Sequence, residues 1–82
     1  MQLTPAQVEL LQAIARGLTL KSHRDLEGNK EYRLHALDGR AASVAWEVVE
    51  ELQTAGLIDS NKKFPAATYW LTTAGRARLE AA

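Results

Sequence analysis

Hydrophobic positions change their spacing along the chain, and each change marks a new predicted element. The first segment predicts a helix, because its apolar residues recur three or four positions apart. Thr4 is a good N-cap, Pro5 suits the first helical position, and Gly17 is a typical C-terminal stop. One side of this helix is expected to pack in the core, with these residues on or beside it: Gln7, Val8, Leu10, Leu11, Ile14, Ala15 and Leu18.

The segment from residue 18 to 36 alternates between apolar and polar positions, which predicts a β-hairpin. Its turn is expected at residues 28–30, with Glu27 opposite Glu31. A two-residue loop would mix the two faces, so the pattern favours the three-residue loop, with a four-residue loop as the alternative. The apolar face then holds Leu18, Leu20, Leu26, Tyr32, Leu34 and Ala36. The polar face holds Thr19, Lys21, His23, Asp25, Arg33 and His35.

After a second turn at Asp38-Gly39, helical spacing returns and predicts a central helix. Ser43 is its expected N-cap, and Gly56 is its expected end. The predicted apolar side holds Val44, Ala45, Val48, Val49, Leu52 and Ala55. The exposed side is expected to hold Trp46, Glu47, Glu50, Glu51, Gln53 and Thr54.

The last third of the chain predicts a second hairpin and a short helix. Leu57-Ile58 begins a strand, residues 59–67 form a polar turn, and residues 68–71 form the returning strand. Thr72 or Thr73 is expected to cap the final helix. We therefore predict an α+β domain in the order helix, hairpin, helix, hairpin, helix.

Composition narrows the class of protein. The 82 residues suffice for one domain, residues 1–82, and the apolar fraction of 46% is ordinary for a globular protein. Ten basic and ten acidic side chains give a net charge of zero, which lowers the expectation of nucleic-acid binding. There is no cysteine, no apolar run of membrane-spanning length and no signal-peptide pattern. We expect a cytoplasmic protein with no membrane partner.

Two short motifs in the second half resemble the C-terminal half of prokaryotic winged-helix regulators of the MarR type. There, a helix ending in Leu-x-x-x-Gly-Leu-Ile enters a wing hairpin that closes with Tyr-x-Leu-Thr-x-x-Gly. The matching residues here are Leu52, Gly56, Leu57 and Ile58, followed by Tyr69, Leu71, Thr72 and Gly75. The resemblance implies a small winged-helix-like domain with an extra N-terminal β-hairpin and its middle helix missing or replaced.

The whole chain is also similar to the short YjhX-type proteins, which are described as toxins of bacterial toxin–antitoxin pairs. Members of that family carry cysteine near the central helix and are more basic than this chain. The matching segments are residues 10–17, 23–28, 37–40, 52–61 and 65–75, so the similarity covers nearly the full length.

The predicted central helix carries Trp46, Glu47, Glu50 and Glu51 on its exposed side and no Lys or Arg. Carboxylates facing DNA phosphates would be repelled, whereas an exposed Trp is a typical anchor of protein interfaces. We therefore expect this side to contact a protein partner or a second copy of the chain. A solvated acidic face is the plain alternative, and the first hairpin covering Trp46 is another.

The first hairpin brings Lys21, His23, Arg33 and His35 to one face, with His23 expected directly opposite His35. This face could contact phosphate or an acidic partner, or it is a solvated sheet surface. Two histidines are too few for a structural zinc site, so no metal is expected. A ribonuclease that uses the two histidines with Lys21 or Arg33 is a distant alternative.

The alternative function is that of a DNA-binding transcriptional regulator, in which Arg40, Ser43, Lys62 and Lys63 would contact the backbone. The sequence contains no phosphate-binding loop, nucleophile motif or metalloprotease motif, so we expect no enzyme, no cofactor and no small-molecule substrate. The favoured hypothesis is a small bacterial or phage binding module with a regulatory role.

Overall fold

Three helices and five strands alternate along the part of the chain that the computed structural model describes, residues 2–63 and 66–81. Phe64 and Pro65, which belong to the predicted turn before the last strand, lie outside the described residues. The elements are α1 (Pro5–Ala15), β1 (Thr19–Arg24), β2 (Lys30–His35), β3 (Ala41–Val44), α2 (Trp46–Thr54), β4 (Ile58–Ser60), β5 (Ala66–Leu71) and α3 (Thr73–Ala81).

The strands form one antiparallel sheet in the order β3-β2-β1-β5-β4. The helices pack against one face of this sheet, where alternate strand residues are buried, and the other face is left open. The prediction of a small α+β domain is therefore confirmed. The core is formed by Leu10, Leu11, Leu20, Tyr32, Val49, Leu52, Leu57, Ile58, Ala67, Tyr69 and Leu71.

Both predicted ends of α1 are confirmed. The side-chain oxygen of Thr4 accepts from the backbone N–H of Gln7, and the Gln7 side chain accepts from the N–H of Thr4. At the other end, Gly17 has a φ of 104°, and its N–H donates to the carbonyl of Ile14. One core prediction is wrong: Ala15 is exposed, because the helix turns the side of Gln7 and Leu11 inward.

The first hairpin is confirmed, but its loop is longer than predicted. Arg24 pairs with Lys30, so residues 25–29 form a five-residue loop and Glu27 does not face Glu31. The carboxylate of Asp25 accepts from the N–H groups of Glu27 and Asn29, which holds this wider loop. The strand residues still share the predicted faces, because the observed β1–β2 register differs from the predicted one by an even number of residues. Leu26 is the exception, since it lies in the loop and is fully exposed.

The start of the central helix was predicted wrongly. Ser43 is not an N-cap, and Val44 is not helical, because both lie in β3 and pair with Arg33 and Tyr32 of β2. The helix begins at Trp46, and its N-cap is Ala45, whose side chain makes no capping hydrogen bond. The structure thus has a third strand that the sequence did not predict, and the last two residues of this strand had been assigned to the start of the helix.

The winged-helix-like motif residues form the junction between α2, the second hairpin and α3. Gly56 ends α2 with a φ of 77°, and the N–H of Leu57 donates to the carbonyl of Leu52. Thr72 caps α3 through the N–H of Gly75, and its hydroxyl donates to the carbonyl of Gly56. These residues therefore tie the end of α2 to the start of α3.

Candidate functional site

Trp46 lies at the first residue of α2 with 61% of its surface exposed. The first hairpin therefore does not cover it. Glu47 follows it, also exposed, and the sequence of α2 holds no Lys, Arg or His. The structure thus places a large apolar side chain beside a carboxylate at one end of an acidic helix.

The other two carboxylates of α2 are engaged with the body of the domain. Glu50 accepts a hydrogen bond from the hydroxyl of Tyr32 at 3.2 Å. Glu51 accepts one from the side-chain amide of the buried Gln7, also at 3.2 Å. Both residues remain exposed, but their side chains are anchored. Trp46 and Glu47 are therefore the residues of the predicted protein-binding set that project most freely at the start of the helix.

A groove of about 580 Å³ adjoins this end of α2. It runs between α1 and strand β3, and we predicted no surface feature there from the sequence. Ala45, the residue before Trp46, lies on its wall. Its apolar lining is provided mainly by Leu10, Ala13, Leu18, Leu34, Val44 and Val48.

Strand β3 forms one edge of the sheet, and the residues Ala41 to Ser43 are exposed. Edge strands are usually protected by charged side chains, proline or bulges, since their free N–H and C=O groups pair readily with another strand. The sequence of β3 contains no charge and no proline. Ala45 lines the groove and directly precedes Trp46, and we call the groove, this edge and Trp46 together the α2–β3 surface.

The open face of the sheet holds five of the residues predicted to contact nucleic acid. Lys21 lies directly opposite Arg33, and Arg33 in turn pairs with Ser43 of β3. His23 and His35 share this face. Like charges opposite each other on a sheet are unfavourable, and Glu31 offsets part of the cost through an ion pair with Arg33 at 3.0 Å.

The two histidines do not form the predicted direct pair. His23 lies opposite Glu31 and His35 opposite Thr19, because of the wider loop. Their rings nevertheless meet edge to face, with centroids 6.0 Å apart. The Nε2 atom of His35 is buried without a hydrogen-bond partner in the part of the chain that the structure describes. Within the same residues, no group of three or more His, Asp or Glu side chains is placed to hold a metal ion.

The remaining predicted nucleic-acid contacts lie at opposite ends of the sheet. Arg40 is in the β2–β3 turn, where it pairs with Asp38. Lys62 and Lys63 are in the loop between β4 and β5, at the end where β1 turns into β2. These groups are therefore separated by at least a strand length, about 17–20 Å, since they also lie on opposite sides of β1 in the strand order.

Trp70 is a second exposed tryptophan whose position we did not predict from the sequence. It lies opposite Asp59 and is 44% exposed, on the open face of the sheet. The alternation of β5 could have indicated this, because Tyr69 and Leu71 on either side of Trp70 are buried. The groove beside β3 could not have been found, since no strand was predicted at Ala41–Val44.

Comparison of the chain with protein-family models, with curated proteins and with solved structures gave no match. The resemblance to winged-helix regulators and to YjhX-type proteins thus stays a prediction from the motifs. No helix in residues 2–63 and 66–81 is long and apolar enough to cross a bilayer.

Proposed function

We propose that this chain is a small binding module whose α2–β3 surface contacts a protein partner through Trp46. The single observation that carries the proposal is the 61% exposure of Trp46 at the start of an acidic helix. Tryptophan, together with tyrosine and arginine, is enriched among interface hot spots, so an exposed tryptophan is a suitable interface anchor.

The chemistry of the surface defines the partner. Glu47 is exposed beside Trp46, and α2 contributes no cation to balance its carboxylates. A partner with an apolar side chain and a neighbouring Lys or Arg would match both features. Such a partner could also add a strand to β3, because this edge has neither charge nor proline.

We further propose a winged-helix-like topology with a regulatory role. Helix α2 leads through Gly56 into the β4–β5 hairpin, as the recognition helix of such a domain leads into its wing. The β2–β3 strands lie where the chain would otherwise have a middle helix. In this topology the α2–β3 surface lies where a winged-helix domain would contact DNA, and its chemistry suits a protein partner instead.

Site-specific photo-crosslinking tests this function. A photoreactive amino acid at position 46 should capture a protein partner in the native host, whereas the same amino acid at position 70 should not. Position 70 is the matched control, because Trp70 is also exposed but lies on the open sheet face. Sedimentation of the purified chain shows whether the captured partner is a second copy. Adducts to nucleic acid at position 46, or identical protein adducts at both positions, would refute the proposal.

DNA binding is the second candidate function, and one observation favours it. Lys21, Arg33 and Ser43 form a row across three strands of the open face, with the two histidines beside them. A like-charged cross-strand pair costs stability, so its presence suits a surface that meets an anion.

A gel-shift titration with DNA from upstream of the gene separates the two functions. If the open face contacts phosphates, the double variant Lys21→Gln/Arg33→Gln should weaken binding to all sequences. The slope of log affinity against log salt should become shallower by about 1–2 units. The control is Arg76→Gln, which removes a positive charge from the exposed side of α3, away from every residue predicted to contact DNA. An unchanged slope in the first variant would eliminate the open face as a DNA-binding surface.

A further inference from the structure

A pocket of about 310 Å³ lies on the helix-facing side of the sheet, beyond the edge of the core. Its base is formed by strand residues, among them Ser22, Ser60 and Tyr69, and Gln53 of α2 contributes to one side. The β1–β2 turn and the β4–β5 loop flank its mouth, because β1 pairs with both β2 and β5 at this end.

Four cations line this pocket. Arg24 and Lys30 are a cross-strand pair at the end of the β1–β2 hairpin, and Lys62 and Lys63 come from the β4–β5 loop. No carboxylate is present among the described residues that line it. The chain as a whole has ten basic and ten acidic side chains. The concentration of positive charge is therefore a local arrangement and does not reflect the overall composition.

Hydroxyl groups complete the lining. Ser22, Ser60 and Tyr69 are 3%, 7% and 4% exposed, so their positions are fixed by the fold. The Ser60 hydroxyl accepts from the N–H of Lys62, which has a φ of 55°. The loop that carries the two lysines is thus tied to the base of the pocket. Serine O–H groups donate to anionic oxygens as well as to neutral ones, whereas the Tyr69 hydroxyl is hydrogen-bonded with Tyr32.

We propose that this pocket binds the phosphate group of a small phosphorylated molecule. Two serine hydroxyls at the base and four cations in the lining suit a compact anion with several oxygens, and a phosphate or pyrophosphate group is of that kind. The volume is at the lower end of the range for small-molecule sites, about 300–1,000 Å³, so it admits a phosphate group more readily than a whole nucleotide. This site is separate from the α2–β3 surface and does not depend on the function proposed for it.

The site is tested by titrating the intact chain with inorganic pyrophosphate, ATP and adenosine. Calorimetry and backbone amide NMR measure the binding. Pyrophosphate and ATP should bind saturably, and the amide signals of Ser22, Ser60 and Lys62 should shift. Adenosine should not bind, because it lacks the phosphate. The double variant Lys62→Asn/Lys63→Gln should weaken pyrophosphate binding about tenfold or more. Asn at position 62 keeps the left-handed backbone accessible.

The double variant Lys21→Gln/Arg33→Gln is the matched control, since it removes two charges from the open face. It should bind pyrophosphate nearly as the wild type does. If the pocket variant fails to fold, Lys63→Gln alone should show a smaller loss in the same direction. Absence of saturable binding, or equal losses in both double variants, would overturn the proposal. The proposal would also be overturned if the chain bound duplex DNA but bound neither pyrophosphate nor ATP.

Discussion

The Cα of Gly75 packs directly against the backbone carbonyl of Leu57, and a Cβ at position 75 would overlap that oxygen. Gly75 is in the first turn of α3, and Leu57 follows the end of α2. The nearby Thr72 holds the same two segments together, because its N–H donates to the Leu57 carbonyl and its hydroxyl to the Gly56 carbonyl. The spacing Thr-x-x-Gly thus results from a close approach of two backbones.

Replacing Gly75 with Ala should destabilise the domain by roughly 1–3 kcal/mol. The sign of this change in the free energy of unfolding distinguishes a crowded position from an open one, because Gly→Ala at an unhindered helix position stabilises by up to about 1 kcal/mol. Urea unfolding measures the change. The control is Ala74→Ser, which adds one atom at an exposed neighbouring position and should alter the free energy of unfolding by less than about 0.5 kcal/mol. A Gly75→Ala variant as stable as the wild type would show that the two backbones are not in contact.

The sequence was sufficient to predict the elements whose signals are local. Thr4 and Gly17 mark the ends of α1 through hydrogen bonds within a few residues. Strand β3 was missed because Ala41–Val44 has no local preference that excludes a helix, and only its pairing with β2 makes it a strand. The five-residue loop likewise depends on the side chain of Asp25, whose pKa is lowered chiefly by the N–H of Asn29.

At the candidate site, too, features with local signals were predicted and features that depend on long-range contacts were not. Exposure of Trp46 and the shared face of Lys21 and Arg33 were predicted from helical and strand periodicity. The partners of Glu50 and Glu51 were not, because Tyr32 and Gln7 are 18 and 44 residues away along the chain. The phosphate pocket joins two loops that only the sheet order brings together.

A single substitution at the N-terminus of α2 should increase the stability of the domain. Ala45 has the extended backbone of an N-cap, with φ of −62° and ψ of 133°, but no side chain able to accept from the first turn. Ala45→Ser should stabilise the domain by about 0.5–2 kcal/mol in urea unfolding. Ala55→Ser, at the other end of the same helix, is the control and should have little effect. Equal changes in both variants would argue against the observed start of α2.

Stability at alkaline pH should depend on Tyr32. Burial raises the pKa of this phenol, and its hydrogen bond with Tyr69 and the nearby Glu50 carboxylate act in the same direction. A raised pKa means that ionisation favours the unfolded chain, so the stabilisation is complete below the ordinary tyrosine pKa of about 10 and is lost as pH rises above it. Free energies of unfolding across this range should fall less steeply for Tyr32→Phe. Parallel pH profiles for the two proteins would contradict this role.

The most direct measurement is the affinity of the captured protein partner for Trp46→Ala and Trp70→Ala, each compared with the wild type by calorimetry. Thermal unfolding should first show that both variants remain folded, since both tryptophans are exposed. Trp46→Ala should cost about 2 kcal/mol or more, which is roughly a 30-fold weaker Kd, and Trp70→Ala should leave the affinity nearly unchanged. Wild-type affinity in Trp46→Ala, or an equal loss in Trp70→Ala, would contradict the proposal that the α2–β3 surface binds protein.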